Sequence, residues 1–169
     1  MNFNFLRGMF FLSSEKNVVL IGMMGVGKST VGRHLAVALR KDFFDSDKEI
    51  ERNSGASISW IFDVEGEAGF RKRESEAIAN ICLGENIVLA TGGGAVVSEE
   101  NRRILSDFGY VVFLSGSVEL ILSRIEHDKS RPLLQGSDRA ETISRLVSER
   151  TPYYSGCLLY TSPSPRDNR

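Results

Sequence analysis

A three-layer α/β/α domain with a central parallel sheet is the fold class this sequence predicts, and three observations predict it. Short, wholly apolar runs recur along the chain; segments with helical periodicity lie between them; and the first run leads through a glycine-rich turn straight into the first helical segment. Strand then helix, repeated, implies parallel strands joined by right-handed crossovers, with helices on both faces of the sheet. A length of 169 residues suits one domain.

The elements follow in order. "NVVLI" (17–21) is short, apolar and rich in β-branched residues, as a strand covered on both faces should be. After the glycine turn, Val31, Leu35 and Leu39 recur every four residues along one helical face. "DFF" (42–44) is the next strand. "EGEAGFRKRESEAIANICLG" then places Phe70, Ala77, Ile78 and Ile81 on one stripe. "NIVLA" (86–90) and "YVVFL" (110–114) are strands, and Val118, Ile121, Leu122 and Ile125 follow the i, i+3, i+4, i+7 pattern of a helix burying one face. In "ETISRLVSERTPYY", Arg150 lies on the stripe of Ile143, Leu146 and Val147. No internal repeat is found.

These elements put the domain at 16–154. Residues 1–15 read as a flexible extension, with translation possible from Met9; the apolar run Met9 to Leu12 is far below the ~20 residues needed to cross a bilayer, and it makes a poor signal peptide. Residues 155–169, "SGCLLYTSPSPRDNR", offer Ser/Pro punctuation without a periodic segment and are expected to be disordered or foreign to the domain.

Charge and cysteines narrow the function. With 21 Lys+Arg against 22 Asp+Glu, the net charge of -1 does not suggest a nucleic-acid or membrane-surface binder. Any anionic partner must be met by local cations. Cys82 and Cys157 lack metal-ligand or CxxC spacing, which argues against a zinc site or disulfide framework and for a reducing cytoplasm.

The turn "GMMGVGKST" is the strongest signal. Gly22, Gly27, Lys28 and Ser29 satisfy G-x(4)-G-K-S/T, the phosphate-binding loop, with an apolar strand before it and an amphipathic helix after it. Main-chain N–H groups in such a turn converge on phosphate oxygens, and the helix start adds about half a positive charge. Lys28 meets the β- and γ-phosphates and the Ser29 hydroxyl ligates Mg²⁺. The turn therefore holds a nucleoside triphosphate.

The acceptor must be read from elsewhere. In an extended "FFDSDKEIE", Asp45 and Asp47 share a face at a strand end, suited to a magnesium-bound phosphate and a substrate alcohol; Ser46 and Glu49 also have capping-box spacing, and the two readings are compatible. Arg71 and Glu74 stand one helical turn apart, which by itself is a surface ion pair. Arg150 on an apolar stripe needs a partner, or else favours a helix C-terminus. A magnesium-binding aspartate is missing after "IVLA"; Thr91, Gly92, Gly93 and Gly94 follow instead, offering bare backbone to a ligand or making a tight connection. The polar segment 127–139, with Arg131 near its centre, suits either a lid whose arginine reaches the transferring phosphate or an ordinary mobile loop.

Taken in this order, "GMMGVGKST", "FFDSDKEIE", "IFDVEGEAGFRKRE", "TGGGAV", "RPLL" and "ERTPYY" resemble shikimate kinase, from about Asn17 to Tyr154. The resemblance implies a P-loop kinase fold like that of the nucleoside-monophosphate kinases, and ATP-dependent phosphorylation of the 3-hydroxyl of shikimate on the way to chorismate and the aromatic amino acids. It implies nucleotide binding by Gly25, Val26, Gly27, Lys28, Ser29 and Thr30, and magnesium at Ser29 and Asp45. Asp47 is the candidate base. Arg71 and Arg150 grip the substrate carboxylate, which revises the surface reading of Arg71. Gly92, Gly93 and Gly94 line the substrate and γ-phosphate region, Lys28 balances charge on the moving group, and Arg131 matches the lid arginine. The partner expected is a small molecule, with no nucleic acid, no membrane and a monomeric chain. Family members continue past Tyr154 with a last strand, an adenine-packing loop and a helix, for which this tail shows no counterpart. Two competing expectations are another polyol acid acceptor such as gluconate, and a nucleotide-binding fragment that does not turn over.

Overall fold

The computed structural model describes residues 16–125, 138–157 and, for the backbone, 160–163. Five strands form one sheet in the order β2-β3-β1-β4-β5, every neighbouring pair parallel. They are β1 (Asn17–Ile21), β2 (Asp42–Asp45), β3 (Ile87–Ala90), β4 (Gly109–Ser115) and β5 (Tyr160–Pro163). The helices are α1 (Lys28–Leu39), α2 (Ser46–Ser54), α3 (Ile58–Ile81), α4 (Glu99–Phe108), α5 (Val118–Ile125) and α6 (Arg139–Gly156), with a 3-10 turn at Ala95–Val97. This is the layered architecture that the strand-and-helix alternation predicts.

The central strands are buried on both faces, because helices cover each side: Val18, Val19, Leu20 and Ile21 of β1 and Val88 and Leu89 of β3 belong to one continuous core. That core also takes in Met23, Met24 and Val26 from the turn after β1. A second, smaller cluster of Ile50, Ile61, Phe70 and Ala77 ties α2 to α3. Cys82 and Cys157 are separate thiols, as their spacing suggests. No helix among the described residues is long and apolar enough to cross a membrane.

Three features differ from the sequence expectation. Helix α2 starts at Ser46, capped by the Asp45 side chain, which accepts from the Asp47 and Lys48 N–H groups. The cap is therefore Asp45 and not Ser46, and Asp45 and Asp47 are brought together by a strand-to-helix junction and not by strand alternation. Helix α3 is interrupted at Gly66 (φ 71, ψ -177), a backbone state that glycine adopts without steric cost. Finally, the segment read as disordered contributes β5, paired with β4 from Val112↔Tyr160 to Ser115↔Pro163. A four-residue edge strand is held by main-chain bonds and tolerates a terminal proline, so it needs no apolar periodicity.

Candidate active site

The turn from Gly22 to Gly27 has the backbone that phosphate binding needs. Gly22, Gly25 and Gly27 all have φ between 77 and 141, where side chains are strained. A Cβ at Gly25 would stand 3.0 Å from Ile125 of α5. Lys28, buried at the start of α1, lies back along the turn and donates to the Gly22 and Met23 carbonyls, each at 2.8 Å. Its ammonium is thereby placed over the turn and out of bulk water.

A cavity of about 230 Å³ opens beside this turn. Gly25, Lys28 and Ser29 form one wall, Asp45 and Asp47 the floor, and Gly92, Gly93 and Gly94 the side towards β3. Arg71 and Arg150 close the far end, 25% and 5% exposed. Ser57, Ile58 and Phe62, from the entry to α3, complete the acceptor wall. The predicted residues that do not line it are Val26, whose side chain is buried in the main core, Gly27, and Thr30, whose side chain is exposed. Arg131 and the expected lid up to residue 137 lie outside the described residues.

Hydrogen bonds fix these walls against one another. The Ser29 hydroxyl donates to Asp45 Oδ2 at 2.5 Å, joining α1 to the end of β2. Ser46 Oγ accepts from the Gly92 N–H at 2.8 Å. The Tyr154 hydroxyl donates to the Gly93 carbonyl at 2.5 Å, and its ring stacks on Phe113 at 4.9 Å. Burial pushes the Tyr154 phenol up to about 12, so it remains a donor at neutral pH. The glycines sit in crowded surroundings: a Cβ at Gly92 would stand 2.6 Å from Glu74 Oε1 and 2.7 Å from Asp47 Oδ1, and one at Gly93 would stand 3.0 Å from the Met24 main-chain nitrogen. One at Gly94 would overlap the Arg71 guanidinium.

Arg71 is held by carboxylates from its own helix. Its Nη1 donates to Glu74 Oε2 at 2.7 Å, and Nε and Nη2 donate to Glu67 Oε1 at 3.3 and 3.0 Å. Burial alone would lower the Arg71 pKa, but Glu74 and then Glu67 outweigh it and hold the group above its ordinary value. Glu74, 1% exposed, is pushed above the usual carboxylate range by burial, with Arg71 opposing. Arg150 faces the same group of side chains and makes no ion pair with a carboxylate among the described residues.

Ser29 and Asp45 offer two oxygen donors side by side, which suits a hard cation that keeps water and phosphate as its other ligands. No cluster of three or more His, Cys, Asp or Glu that could hold a metal by itself occurs among the described residues. Four contributors were given no site role by the sequence: Ser46, Tyr154, Glu67, and Arg124 of α5, which donates to the Gly25 carbonyl at 3.0 Å and flanks Gly27. The first, second and fourth act on partners 46, 61 and 99 residues away, so spacing rules do not see them.

A phosphate-cradling turn facing an enclosed pair of guanidinium groups, on a parallel α/β sheet, defines a P-loop phosphotransferase. The family model described as shikimate kinase matches residues 24–168. This chain belongs to the shikimate kinase family. It is 53% identical over 144 residues to the shikimate kinase of Aeromonas salmonicida, covering 85% of this chain and 84% of that protein. To the shikimate kinase of Vibrio parahaemolyticus it is 50% identical over 150 residues, covering 89% and 87%. Among solved structures, the shikimate kinase from Acinetobacter baumannii in complex with shikimate is similar with a TM-score of 0.86 and 46% identity, over 92% of this chain and 86% of that one. The family match runs past Tyr154, where the resemblance read from motifs stops.

Proposed function

We propose that this chain transfers the γ-phosphoryl group of ATP to the 3-hydroxyl of shikimate, giving shikimate 3-phosphate and ADP, with the roles divided as follows. The observation that carries the reading is that Arg71, Arg150 and Asp47 share one cavity with Lys28 and Ser29. Two guanidinium groups supply planar forks for an organic carboxylate. Asp47, 20 or more residues away in sequence from either the turn or Arg71, would accept the acceptor hydroxyl's proton.

Lys28 and the N–H groups of the turn hold the triphosphate and stabilise charge on the moving phosphoryl group, where catalysis is mostly positioning and electrostatics. Ser29 and Asp45 would hold Mg²⁺, which would supply positive charge to offset the negative charge of the phosphates. As the bond from phosphorus to ADP breaks and the bond to the substrate oxygen forms, Asp47 takes the proton. The transition state is loose, so orienting the hydroxyl counts as much as removing that proton. Gly92, Gly93 and Gly94 let both reactants approach bare backbone, and the family resemblance gives Arg131 the role of a further cation for the transferring phosphate. The protein works as a cytoplasmic monomer without nucleic-acid or membrane partners.

One assay tests this: ADP release by the purified chain with shikimate, with gluconate and with no acceptor. Turnover only with shikimate is expected. Gluconate-dependent turnover, or ATP binding with none, would replace the reading by one of its competitors.

A further inference from the structure

Arg71, the guanidinium assigned to the acceptor's carboxylate, already holds two carboxylates of its own helix. Glu74 takes Nη1, while Glu67 Oε1 bridges Nε and Nη2. The Nε/Nη2 edge is one of the forks on which guanidinium pairs bidentately with a carboxylate. An incoming acid therefore meets an occupied fork.

The two internal partners differ. Glu74 is 1% exposed and packed beside Gly92, so it has no open water to move into. The Glu67 side chain is 55% exposed and has open water to move into. Its position also makes release easy. The break at Gly66 makes Glu67 the first residue of a new helical stretch, where unpaired N–H groups and the helix dipole favour a carboxylate whether or not it touches Arg71.

We infer that Glu67 is an internal competitor for the acceptor's carboxylate: it occupies the Nε/Nη2 fork of Arg71 until the acid displaces it, and so helps set the acceptor KM without taking part in phosphoryl transfer. This rests on the reading that Arg71 receives that carboxylate. Displacement needs a second anion, and a neutral polyol brings none. Glu67 thereby disfavours uncharged acceptors while Glu74 keeps the guanidinium in place.

The test is steady-state kinetics at saturating ATP with shikimate varied, for wild type, Glu67→Gln, Arg71→Ala and the double variant. Glu67 is solvent-facing, so Glu67→Gln is expected to fold; Glu67→Ala provides a second variant of the same sign. Glu67→Gln should lower the shikimate KM by about two- to fivefold, the range of solvent-facing ion pairs, with a much smaller change in kcat. A purely structural role for Glu67 would not improve KM. Arg71→Ala should raise KM, and adding Glu67→Gln to it should change nothing further. If Arg71→Ala raises KM but Glu67→Gln leaves it unchanged or raises it, the competitor role is overturned and the carboxylate site stands. If Arg71→Ala leaves KM unchanged, both fall.

Discussion

The two walls of the cavity are built by different means. The phosphate wall is main chain, seated on the ends of the central strands and anchored in the principal core through Met23, Met24 and Val26. The acceptor wall is mainly side chains: Asp47 from α2 and Phe62 and Arg71 from α3, helices that share the small cluster of Ile50, Ile61, Phe70 and Ala77, with Arg150 added from α6. The first is built into the principal core, whereas the α2–α3 part of the second packs through a cluster of its own. Nucleotide affinity and acceptor affinity should therefore respond separately to mutation.

The largest effect is expected where the walls meet. Asp47→Asn should reduce kcat by about 10²–10⁴-fold, the usual range for a positioned acid or base, with ATP affinity nearly unchanged by calorimetry. Arg150→Ala comes next. It should raise the shikimate KM roughly 10²-fold, since truncating one member of a buried charge pair costs about 2–5 kcal/mol, and kcat should fall less. Equal losses in ATP and shikimate binding in either variant would erase the distinction between the walls.

Core truncations sharpen it further. Leu89→Ala in β3 should cost about 2–5 kcal/mol of global stability, read as a lower Tm. Ile61→Ala, in the small cluster, should instead appear as faster amide exchange confined to α2 and the front of α3, with weaker shikimate binding and ATP binding retained. Uniformly faster exchange across the sheet would show that the small cluster is not a separate unit.

The smallest effect concerns Glu74. Burial raises its pKa above the ordinary 4.5, Arg71 opposing only in part. A group raised on folding binds protons more tightly in the native state, so its stabilising contribution is full below about pH 4.5 and is lost as pH rises through the native value. Glu74→Gln should remove that dependence. Against wild type, the variant should gain relative stability as pH rises above 4.5, read in denaturant titrations. A parallel pH profile for the two proteins would contradict the shift.

Much of the phosphate wall was legible in the sequence, because its signals are local: an apolar strand, glycines at fixed offsets, a lysine and a hydroxyl, then an amphipathic helix. The strand limits of β1 agree residue for residue. The acceptor wall was legible mainly through family resemblance. Arg71 by spacing alone was a surface pair, and its half-buried setting arises from Gly94 lying beneath it. Tyr154 on Gly93 and Arg124 on Gly25 are long-range contacts of side chain with main chain, which leave no periodic trace. Helix α3 hid its break because Gly66 sits inside an otherwise helical composition, and β5 was missed because an edge strand can be polar and short.

Three consecutive residues at the β2–α2 junction each serve a different neighbour: Asp45 takes the Ser29 hydroxyl, Ser46 the Gly92 amide, and Asp47 faces the cavity. A helix turns by ~100° for every residue added or lost. Gaining or losing a single codon here would rotate all three groups off their targets at once, so the gene should accept point changes at this junction far more readily than any change in its reading length.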